Sequence, residues 1–387
     1  MRICLVYDCL FPYTVGGAER WYRNLAERLA AEGHDVAYLT LRQWRRGGRA
    51  AVPGVRVVAV APRMALYAPG GRRRILPPLA FGLGVLGHLL RHGRHYEVVH
   101  TASFPYFSLL AAAAARPLAR FRLVVDWHEV WSRHYWNEYL GPVGGRIGNA
   151  IQGLCLRISQ RAFCFSQLHA RRLRAGGLSG ELTVLEGEYA GPVEAREPLP
   201  AEPLIVFAGR HIPEKRVPAI VPAVAELRRT APDLRCLILG DGPDRPHVRE
   251  LVRALDLDEA VSVPGFVAEP EVKGALRRAA CMVLPSRREG YGMVVIEAAA
   301  VGTPSVVVRA EDNAATELIE EGVNGFVAPS AAPEPLAASI ARALAGGPDL
   351  RRSTAAWFAR NARRLSLSSS LDRVSRTYAD GSPGRLR

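Results

Sequence analysis

Two glutamates eight residues apart are the first side chains of this sequence whose types and spacing suggest chemistry. Glu289 follows an apolar run that ends near Pro285, and Glu297 lies one to two turns into a helical pattern that begins near Tyr291. A strand followed by a helix places Glu289 in the connecting loop, at the carboxyl edge of a parallel sheet, where doubly wound folds bind ligands. Each acid is therefore either solvated or turned toward a bound ligand.

Two glycine-containing turns, each followed by a helical pattern, predict places where an anion can approach the backbone. The first N–H groups of a helix have no partner within it, and the helix dipole favours phosphate or carbohydrate oxygens beside them. One turn comprises Gly290, Tyr291, Gly292 and Met293. The other comprises Gly16 and Gly17, before a helical pattern at residues 18–31. A Gly-Gly pair there is equally typical of an ordinary tight turn.

Two cations after the strand pattern at residues 204–208 could bind a phosphate group. Gly209 and Arg210 follow this strand directly, and Lys215 comes five residues later. Lys215 and Lys273 are the only lysines among 51 Lys and Arg residues, so a lysine in this loop stands out in an arginine-rich chain. Fixed cations can stabilise the charge on a departing diphosphate, which makes this loop a candidate site.

Aromatic and ionisable residues are concentrated after a predicted strand at residues 121–126, in a stretch that we interpret as a loop before a helix at residues 147–161. They are Trp127, His128, Glu129, Trp131, His134, Tyr135 and Trp136. Rings at this density could stack on a sugar or an apolar acceptor. A histidine here is as often structural as functional, and His134 is an alternative to His128. Because no H-x-x-x-H or D-x-D spacing accompanies these residues, we predict no metal site.

Length and composition predict two globular domains. The chain has 387 residues, of which 49% are hydrophobic and 23% charged, enough to bury two cores. No apolar run reaches about 18 residues, and the strand pattern at the N-terminus argues against a signal peptide. The six cysteines form no C-x-x-C pair, and we expect them to be reduced and mostly buried, as in a cytoplasmic protein. The net charge is +14, but no nucleic-acid-binding motif accompanies it, so no nucleic acid partner is expected.

The E-x7-E spacing of Glu289 and Glu297 and the G-R-x4-K spacing from Gly209 to Lys215 resemble the donor domain of the retaining, GT-B-fold glycosyltransferases of family 4. The resemblance is specific over residues 205–327 and holds only in outline for the N-terminal half. It implies an α/β, GT-B fold in which two Rossmann-like, doubly wound domains face each other across a cleft. The alternation of strand and helix patterns in both halves agrees with this fold class.

The resemblance divides the chain into three segments. Residues 1–195 would form an N-terminal acceptor-binding domain, and residues 196–355 a C-terminal nucleotide-sugar-binding domain. Residues 356–387 would form a helical segment that crosses back to the N-terminal domain. The proline-rich stretch at residues 192–203 is predicted to be the linker between the two domains.

The resemblance also implies a role for each matching residue. Glu289 would contact the transferred sugar, Glu297 the ribose and His128 the donor sugar, while Arg210 and Lys215 would hold the diphosphate. The predicted catalytic residues are therefore Arg210, Lys215, Glu289 and His128. The predicted donor-binding residues are Gly16, Gly17, Gly209, Gly265, Phe266, Val267, Gly290, Tyr291, Gly292, Met293 and Glu297. The predicted acceptor-binding residues are Trp127, Glu129, Trp131 and Tyr135.

The implied reaction is retaining, metal-independent transfer of a sugar from a nucleoside-diphosphate sugar, with a UDP-sugar favoured. The acceptor would be a hydroxyl of a glycan, a lipid-linked substrate or a secondary metabolite, and no cofactor is expected besides the sugar nucleotide. A double displacement would need a carboxylate nucleophile, for which the N-terminal half offers only Asp126 and Glu129, so front-face departure of the diphosphate is preferred. A same-fold sugar-nucleotide epimerase or phosphorylase and a non-catalytic sugar-nucleotide binder remain alternatives.

The segment at residues 72–90 has two interpretations. Arg72, Arg73 and Arg74 precede an apolar stretch, which could be an amphipathic element in contact with an anionic membrane. The same stretch could be a domain helix packed on the sheet behind a solvated loop. The expected location is the cytoplasm, with the protein either free or peripheral to the inner face of the membrane.

Overall fold

The computed structural model describes residues 1–45, 48, 50–66, 73–194 and 197–379, which belong to two compact units. Unit 1 comprises Met1–Glu186 and Ser368–Arg387, and unit 2 comprises Gly187–Leu367. Both are α/β, as the alternation of strand and helix patterns predicts.

The unit boundaries differ from the predicted domain boundaries. The first predicted boundary, at residues 195 and 196, lies outside the described residues, and the division falls earlier, after Glu186. The second predicted boundary, after residue 355, is wrong, because the helix there continues to Leu365. It packs Phe358 edge to face on Tyr189, with ring centroids 5.2 Å apart, and so belongs to unit 2.

Unit 1 is built on a parallel sheet. The bounds of its described strands are β1 (Arg2–Val6), β2 (Asp35–Leu41), β3 (Val55–Ala61), β4 (Val98–Ala102), β5 (Arg122–Trp127), β6 (Gln160–Cys164) and β7 (Gly180–Val184). Their order is β3-β2-β1-β4-β5-β6-β7. Strands β4 and β5 are almost entirely buried, as expected for parallel strands covered on both faces. The order reverses between β1 and β4, which is where such sheets bind ligands at their carboxyl edge.

Helices connect the strands of unit 1. Their bounds are α1 (Gly17–Ala31), α2 (Leu76–His92), α3 (Phe107–Ala119), α4 (Arg133–Leu156) and α5 (Gln167–Ala175). The predicted helix at residues 18–31 is confirmed as α1. The loop predicted before residue 147 is wrong, because Ser132 Oγ accepts a hydrogen bond from Tyr135 N at 3.1 Å and caps a helix that starts at Arg133.

Unit 2 has a second parallel sheet and a short separate strand pair. The bounds of its described strands are β8 (Glu202–Ala208), β9 (Arg235–Leu239), β10 (Val261–Gly265), β11 (Ala279–Leu284), β12 (Arg288–Glu289), β13 (Ser305–Val308), β14 (Asp312–Asn313) and β15 (Gly325–Ala328). The sheet order is β10-β9-β8-β11-β13-β15, and β12 pairs with β14. The bounds of its helices are α6 (Ile220–Arg228), α7 (Arg245–Ala254), α8 (Glu269–Arg278), α9 (Met293–Ala299), α10 (Pro333–Ala345) and α11 (Gly347–Leu365). Here the order reverses between β8 and β11.

The last described helix, α12 (Leu367–Ala379), lies in unit 1 from Ser368 onward, in agreement with the predicted return of the C-terminal segment. Arg28 of α1 donates a hydrogen bond to Asp372 at 2.5 Å, and Arg161 of β6 donates to Thr377 O at 3.0 Å. The helix therefore contributes to the packing of unit 1 although it follows unit 2 in the sequence.

A buried arginine fixes the position of α11 in unit 2. Arg351 is 3% exposed, and its guanidinium donates to Ala279 O at 2.5 Å, Thr303 Oγ1 at 3.0 Å and Arg277 O at 3.0 Å. Its Nε donates to Leu199 O at 3.0 Å. One side chain therefore joins α11 to the end of α8, the start of β11 and the segment before β8.

Replacing Arg351 with methionine should destabilise unit 2 by about 3 kcal/mol, because the carbonyls of Leu199, Arg277 and Ala279 lose the hydrogen bonds that the guanidinium donates, while the apolar stem is kept. The measurement is urea-induced unfolding followed by circular dichroism. The neighbouring Arg352 is exposed and pairs only with Asp349 among the contacts described, so Arg352→Met serves as control and should change stability by less than about 0.5 kcal/mol. Equal unfolding midpoints for the two variants would contradict this role.

Candidate functional site

The carboxyl edge of the unit 2 sheet places Glu289 beside the loop that contains Lys215. Strands β8 and β11 are parallel neighbours, so the loops that follow them leave from the same edge. Lys215 Nζ lies 2.5 Å from Glu289 Oε1, and Ser286 Oγ donates a hydrogen bond to the same oxygen at 2.6 Å. The structure therefore brings together an acid and a cation that belong to separate sequence motifs.

The two oxygens of the Glu289 carboxylate have different surroundings. The residue is only 8% exposed, and both donors reach Oε1. Among the described residues, no hydrogen bond or ion pair reaches Oε2. A buried carboxylate needs such donors, and once Oε1 is satisfied, Oε2 can accept a hydrogen bond from a ligand.

Arg210, the other predicted cation, is exposed, and within the described parts of the chain its side chain forms no hydrogen bond or ion pair. Its loop is nevertheless held in place by the loop that follows β9. His211 N donates to Asp241 O at 2.9 Å, and Asp244 N donates to His211 O at 2.9 Å. The backbone that carries Arg210 is therefore fixed while the guanidinium can reach an anion.

Two glycines allow close backbone approach at this edge. Gly240 has φ +119° and packs against the carbonyl of Gly209, where a Cβ atom would clash. Gly292 has φ +108° and immediately precedes α9, at the turn predicted from residues 290–293. Glu297 lies four residues after the first residue of α9, so it shares the face of that residue. The roles predicted for these donor-binding residues stay predictions.

The segment that leads to the predicted donor-binding residues Gly265, Phe266 and Val267 is held by Arg245, the first residue of α7. Its Nη2 donates to the carbonyls of residues 263 and 264, at 3.2 and 2.9 Å. Gly265 ends β10, and Phe266, between it and Val267, is 76% exposed. An exposed ring on a fixed segment is suited to stacking on a planar base.

At the edge of the unit 1 sheet, Gly16 and Gly17 form the predicted turn at the start of α1. The carboxylate of Glu19, in the first turn of the helix, lies against Gly16. The helix dipole favours a negative charge at this place. A ligand anion here would therefore compete with an acid of the protein, and the predicted role of the two glycines in donor binding stays a prediction.

His128 follows β5, and its ring stacks on Phe165 with centroids 4.6 Å apart. Its Nε2 is buried and has no hydrogen-bond partner among the described residues. Burial lowers the pKa of His128 below its ordinary value, although the nearby Asp126 and Glu129 carboxylates oppose the shift. The imidazole is therefore neutral at pH 7. The alternative histidine, His134, is exposed on α4.

Asp126, at the end of β5, is the centre of a buried polar network that no sequence motif indicated. Trp21 Nε1 of α1 donates to Asp126 Oδ2 at 2.7 Å, and His100 Nε2 of β4 lies 2.8 Å from Oδ1. His100 Nδ1 in turn contacts the hydroxyl of Tyr378 on α12. Burial would raise the pKa of Asp126, but His100, His128 and the Trp21 hydrogen bond lower it below its ordinary value. The carboxylate is fully buried against these two side chains, so it is not available as a nucleophile.

The predicted acceptor surface is wrong in one respect, because Trp127 is fully buried and donates a hydrogen bond from Nε1 to Gln160 at 2.9 Å. A ring without an exposed face cannot stack on a ligand. Trp131 and Tyr135 are also buried and pack edge to face, with centroids 4.8 Å apart. Trp131 Nε1 donates to Glu129 Oε2 at 2.8 Å. The cluster forms core around the start of α4, and acceptor binding by Glu129, Trp131 and Tyr135 stays a prediction.

Helix α2 combines features of both interpretations of its segment. One face is buried in unit 1 next to α3 and β3, and its buried residues include Phe81, Val85 and Leu89. The other face carries leucines that are 39–64% exposed, namely Leu76, Leu79, Leu83 and Leu90. The helix is thus packed on the domain and still presents an apolar face.

The arginines before α2 have different surroundings. Arg72 lies outside the described residues, Arg73 pairs with the buried Asp8, and Arg74 is exposed. In the parts of the chain that the structure describes, no helix has both the length and the apolar character needed to cross a bilayer.

Two family models match this chain, one in each unit. The model described as Glycosyl transferases group 1 matches residues 194–364, within unit 2. The model described as Glycosyl transferase 4-like domain matches residues 16–186, within unit 1. The match to unit 2 includes the Glu289 and Lys215 contact, and the match to unit 1 includes His128.

Individual proteins are also similar to this chain. It is 32% identical over 179 residues to alpha-D-kanosaminyltransferase from Streptomyces kanamyceticus, and this match covers 46% of each chain, about half the length of that relative. It is 28% identical over 361 residues to glycogen synthase from Mycobacterium tuberculosis, covering 87% of this chain and 84% of that protein. The crystal structure of Anabaena HepE in complex with UDP-glucose is 18% identical, has a TM-score of 0.71, and covers 98% of this chain and 99% of that chain. At this identity the structural likeness shows a shared fold.

The neutral state of His128 predicts a pH-dependent stability of unit 1. Because the pKa of His128 in the folded state lies below the ordinary value of about 6.5, the unfolded chain binds the proton more readily than the folded chain. The neutral imidazole therefore contributes fully to the free energy of unfolding above pH 6.5, and this contribution is lost as the pH falls further. The free energy of unfolding in urea should fall between pH 7 and pH 5 in both proteins, and the fall should be about 1 kcal/mol smaller in His128→Asn than in the wild type. The exposed His95 provides the control, and His95→Asn should keep the wild-type slope. The same slope in all three proteins would contradict the buried, neutral state.

Proposed function

The chain belongs to the GT-B group 1 glycosyltransferases of family 4, and from this premise we propose that it transfers a sugar from a nucleoside-diphosphate sugar bound by unit 2 to an acceptor hydroxyl. Membership of the family makes the protein a glycosyltransferase. One observation carries the finer proposal. Glu289 is bound by Lys215 and Ser286 through Oε1 alone, which leaves Oε2 to receive a sugar hydroxyl.

In the proposed complex, each part of the donor meets a group of matching chemistry. Glu289 Oε2 accepts a hydrogen bond from the sugar, and Glu297 accepts from the ribose. Arg210 and Lys215 bind the diphosphate, for which charge-assisted hydrogen bonds are the strongest available. Phe266 stacks on the base. The exposure of Arg210 and Phe266 supports these roles, since both side chains can be reached by a ligand.

A UDP-sugar is the donor class that we propose. Anabaena HepE, with which this chain shares its fold, was solved with UDP-glucose. The stacking surface at Phe266 suits any planar base, so the preference for uracil rests on this likeness. The acceptor classes that we propose are a glycan, a lipid-linked substrate and a secondary metabolite.

The proposed reaction retains the anomeric configuration and uses neither a metal nor a covalent intermediate. The bond between the anomeric carbon and the diphosphate oxygen breaks, the acceptor oxygen bonds to the same face of that carbon, and the acceptor proton passes to the departing diphosphate. Arg210 and Lys215 stabilise the charge that develops on the diphosphate. The complete burial of Asp126 supports this route, because a double displacement needs a carboxylate that can reach the sugar.

The alternative activities differ in the products they form. An epimerase would convert the donor without an acceptor, and a phosphorylase would form a sugar phosphate when inorganic phosphate is supplied. A binding protein would release no nucleotide at all. Incubation of the purified protein with UDP-, ADP- and GDP-sugars, with and without phosphate and candidate acceptors, separates them. Release of UDP with formation of a new glycoside is the result that the proposal expects.

Replacing Arg210 or Lys215 with alanine should lower turnover of the donor by about 100-fold or more, because the charge on the leaving group is largest in the transition state. The measurement is nucleotide release under saturating donor, together with the thermal midpoint of each variant. Both variants should remain folded, since Arg210 is exposed and Lys215 is partly exposed.

The second lysine of the chain is a matched control for Lys215. Lys273 lies on α8, is largely exposed and pairs with Glu269 at 2.6 Å. Lys273→Ala should therefore keep wild-type turnover. Wild-type turnover in Lys215→Ala or Arg210→Ala would remove these residues from the proposed mechanism.

We also propose that the exposed face of α2 contacts an anionic membrane. Its leucines lie on one side of the helix, and residues 62–96 contain six arginines and no acidic residue. An apolar face in an arginine-rich stretch of sequence is suited to the surface of a bilayer that contains anionic lipid. Such a location would bring the enzyme to a lipid-linked acceptor.

Sedimentation with vesicles tests the membrane contact. The wild type should bind vesicles that contain phosphatidylserine more strongly than vesicles of phosphatidylcholine. The double substitution Leu79→Gln/Leu83→Gln should weaken binding about tenfold or more, because two leucine side chains that the bilayer would bury are removed. Leu255→Gln removes an exposed leucine outside this face and is the control. Binding that ignores both lipid charge and the α2 substitutions would refute the contact.

A further inference from the structure

Asn313 is a buried side chain whose hydrogen-bonding groups are all used at the edge of the unit 2 sheet. It is 2% exposed and lies on β14, the short strand that pairs with β12. Its Nδ2 donates to Val308 O at 2.7 Å and to Ser286 O at 3.0 Å. Its Oδ1 accepts from Ala315 N at 3.0 Å. One amide thus donates to two backbone carbonyls and accepts from one backbone N–H.

These contacts join the parts of the chain that position Glu289. Val308 is the last residue of β13, and Ser286 follows β11, so the Asn313 amide ties together the carboxyl ends of two neighbouring strands. In the β12 and β14 pair, Asn313 is the residue directly opposite Glu289. The side chain therefore holds Ser286 by its carbonyl, while Ser286 Oγ holds Glu289 Oε1 at 2.6 Å.

We propose that Asn313 is a positioning residue for the transferred sugar, acting through Ser286 and Glu289 rather than through contact with the substrate. The inference rests on the proposed function, in which Glu289 Oε2 receives a sugar hydroxyl. Displacement of the Ser286 carbonyl would move the Oγ donor and turn the carboxylate away from its productive orientation. A shift of about 1 Å in such a group can lower turnover about 100-fold. Nucleotide binding uses other residues and is unaffected.

The chemistry of the amide explains why asparagine is required at this position. Two donors and one acceptor are used at once, and aspartate of nearly the same shape has no donor. In Asn313→Asp, a carboxylate would face the carbonyls of Ser286 and Val308, which repel it. The substitution therefore removes the tie between the strand ends and leaves the volume of the side chain unchanged.

The experiment is a double-mutant cycle in the full-length enzyme. Asn313→Asp and Glu289→Gln are made singly and together, and turnover of UDP-glucose, the affinity for UDP and the thermal midpoint are measured for each. Asn313→Asp is expected to lower kcat about 10- to 100-fold and to change the Kd of UDP by less than about twofold. In the Glu289→Gln background the same substitution should have less than about a threefold effect, because the residue through which it acts is already altered.

Asn324 provides a matched control in the same unit. It is also buried, its Nδ2 donates to Leu318 O at 2.8 Å, and its Oδ1 accepts from Glu320 N at 2.8 Å, so neither of these hydrogen bonds involves Ser286 or Glu289. Asn324→Asp should lower the thermal midpoint, as Asn313→Asp does, but leave kcat unchanged. A loss of kcat in both variants would show a merely structural effect and would overturn the proposal.

Other outcomes separate this inference from the proposed function. A wild-type protein that neither transfers nor hydrolyses any sugar nucleotide refutes the proposed function itself. If the wild type is active, two results refute only the role of Asn313. One is an unchanged kcat in Asn313→Asp, and the other is an equal loss of kcat whether Asn313→Asp is made in the wild type or in Glu289→Gln. If Asn313→Asp does not fold, Asn313→Ala removes the amide without burying a charge and enters the same cycle with the same criteria.

Discussion

The buried charge of Glu289 is the constraint around which the edge of the unit 2 sheet is built. A carboxylate that is only 8% exposed needs donors, and these come from Lys215 in the loop after β8 and from Ser286 in the loop after β11. The two loops meet because β8 and β11 are adjacent parallel strands. Any strand order that separated them would leave the acid without its cation. Sheet topology, rather than the motif alone, therefore determines whether the pair exists.

Much of this arrangement could be predicted from short stretches of sequence. The helical period at residues 18–31 specified α1, whose Trp21, Leu25 and Leu29 are buried as the pattern requires. The spacings that contain Glu289 and Lys215 identified both residues as candidates. Such signals are local, because propensity, period and motif spacing act over a few turns of chain. The 2.5 Å contact between the two side chains could not be predicted from spacing, since it joins residues in different loops.

Two kinds of feature could not be predicted from the sequence. One kind joins residues that are distant in the chain, and the other involves a residue type that serves equally well in a core and in a binding site. Trp21 meets Asp126, and His100 meets Tyr378 across 278 positions, so no window of sequence contains both members of either pair. The aromatic residues near α4 show the second difficulty. A tryptophan such as Trp127 supplies apolar area to a core as readily as it stacks on a sugar, and composition alone does not distinguish these uses. Ser132 caps the N-terminus of α4, so residues that were predicted to form a loop lie in a helix.

The two units each contain a buried carboxylate, and the difference between these two acids explains where a substrate can be recognised. Asp126 is fully buried and lies against Trp21 and His100, so a ligand could reach its carboxylate only by displacing one of these side chains. Such an exchange gains little, because a contact with the ligand replaces an existing buried contact. At Glu289, both donors converge on Oε1, and a ligand at Oε2 adds a hydrogen bond without removing one. Asp126 is therefore suited to organising α1, β4 and α12 around β5, whereas Glu289 is suited to binding.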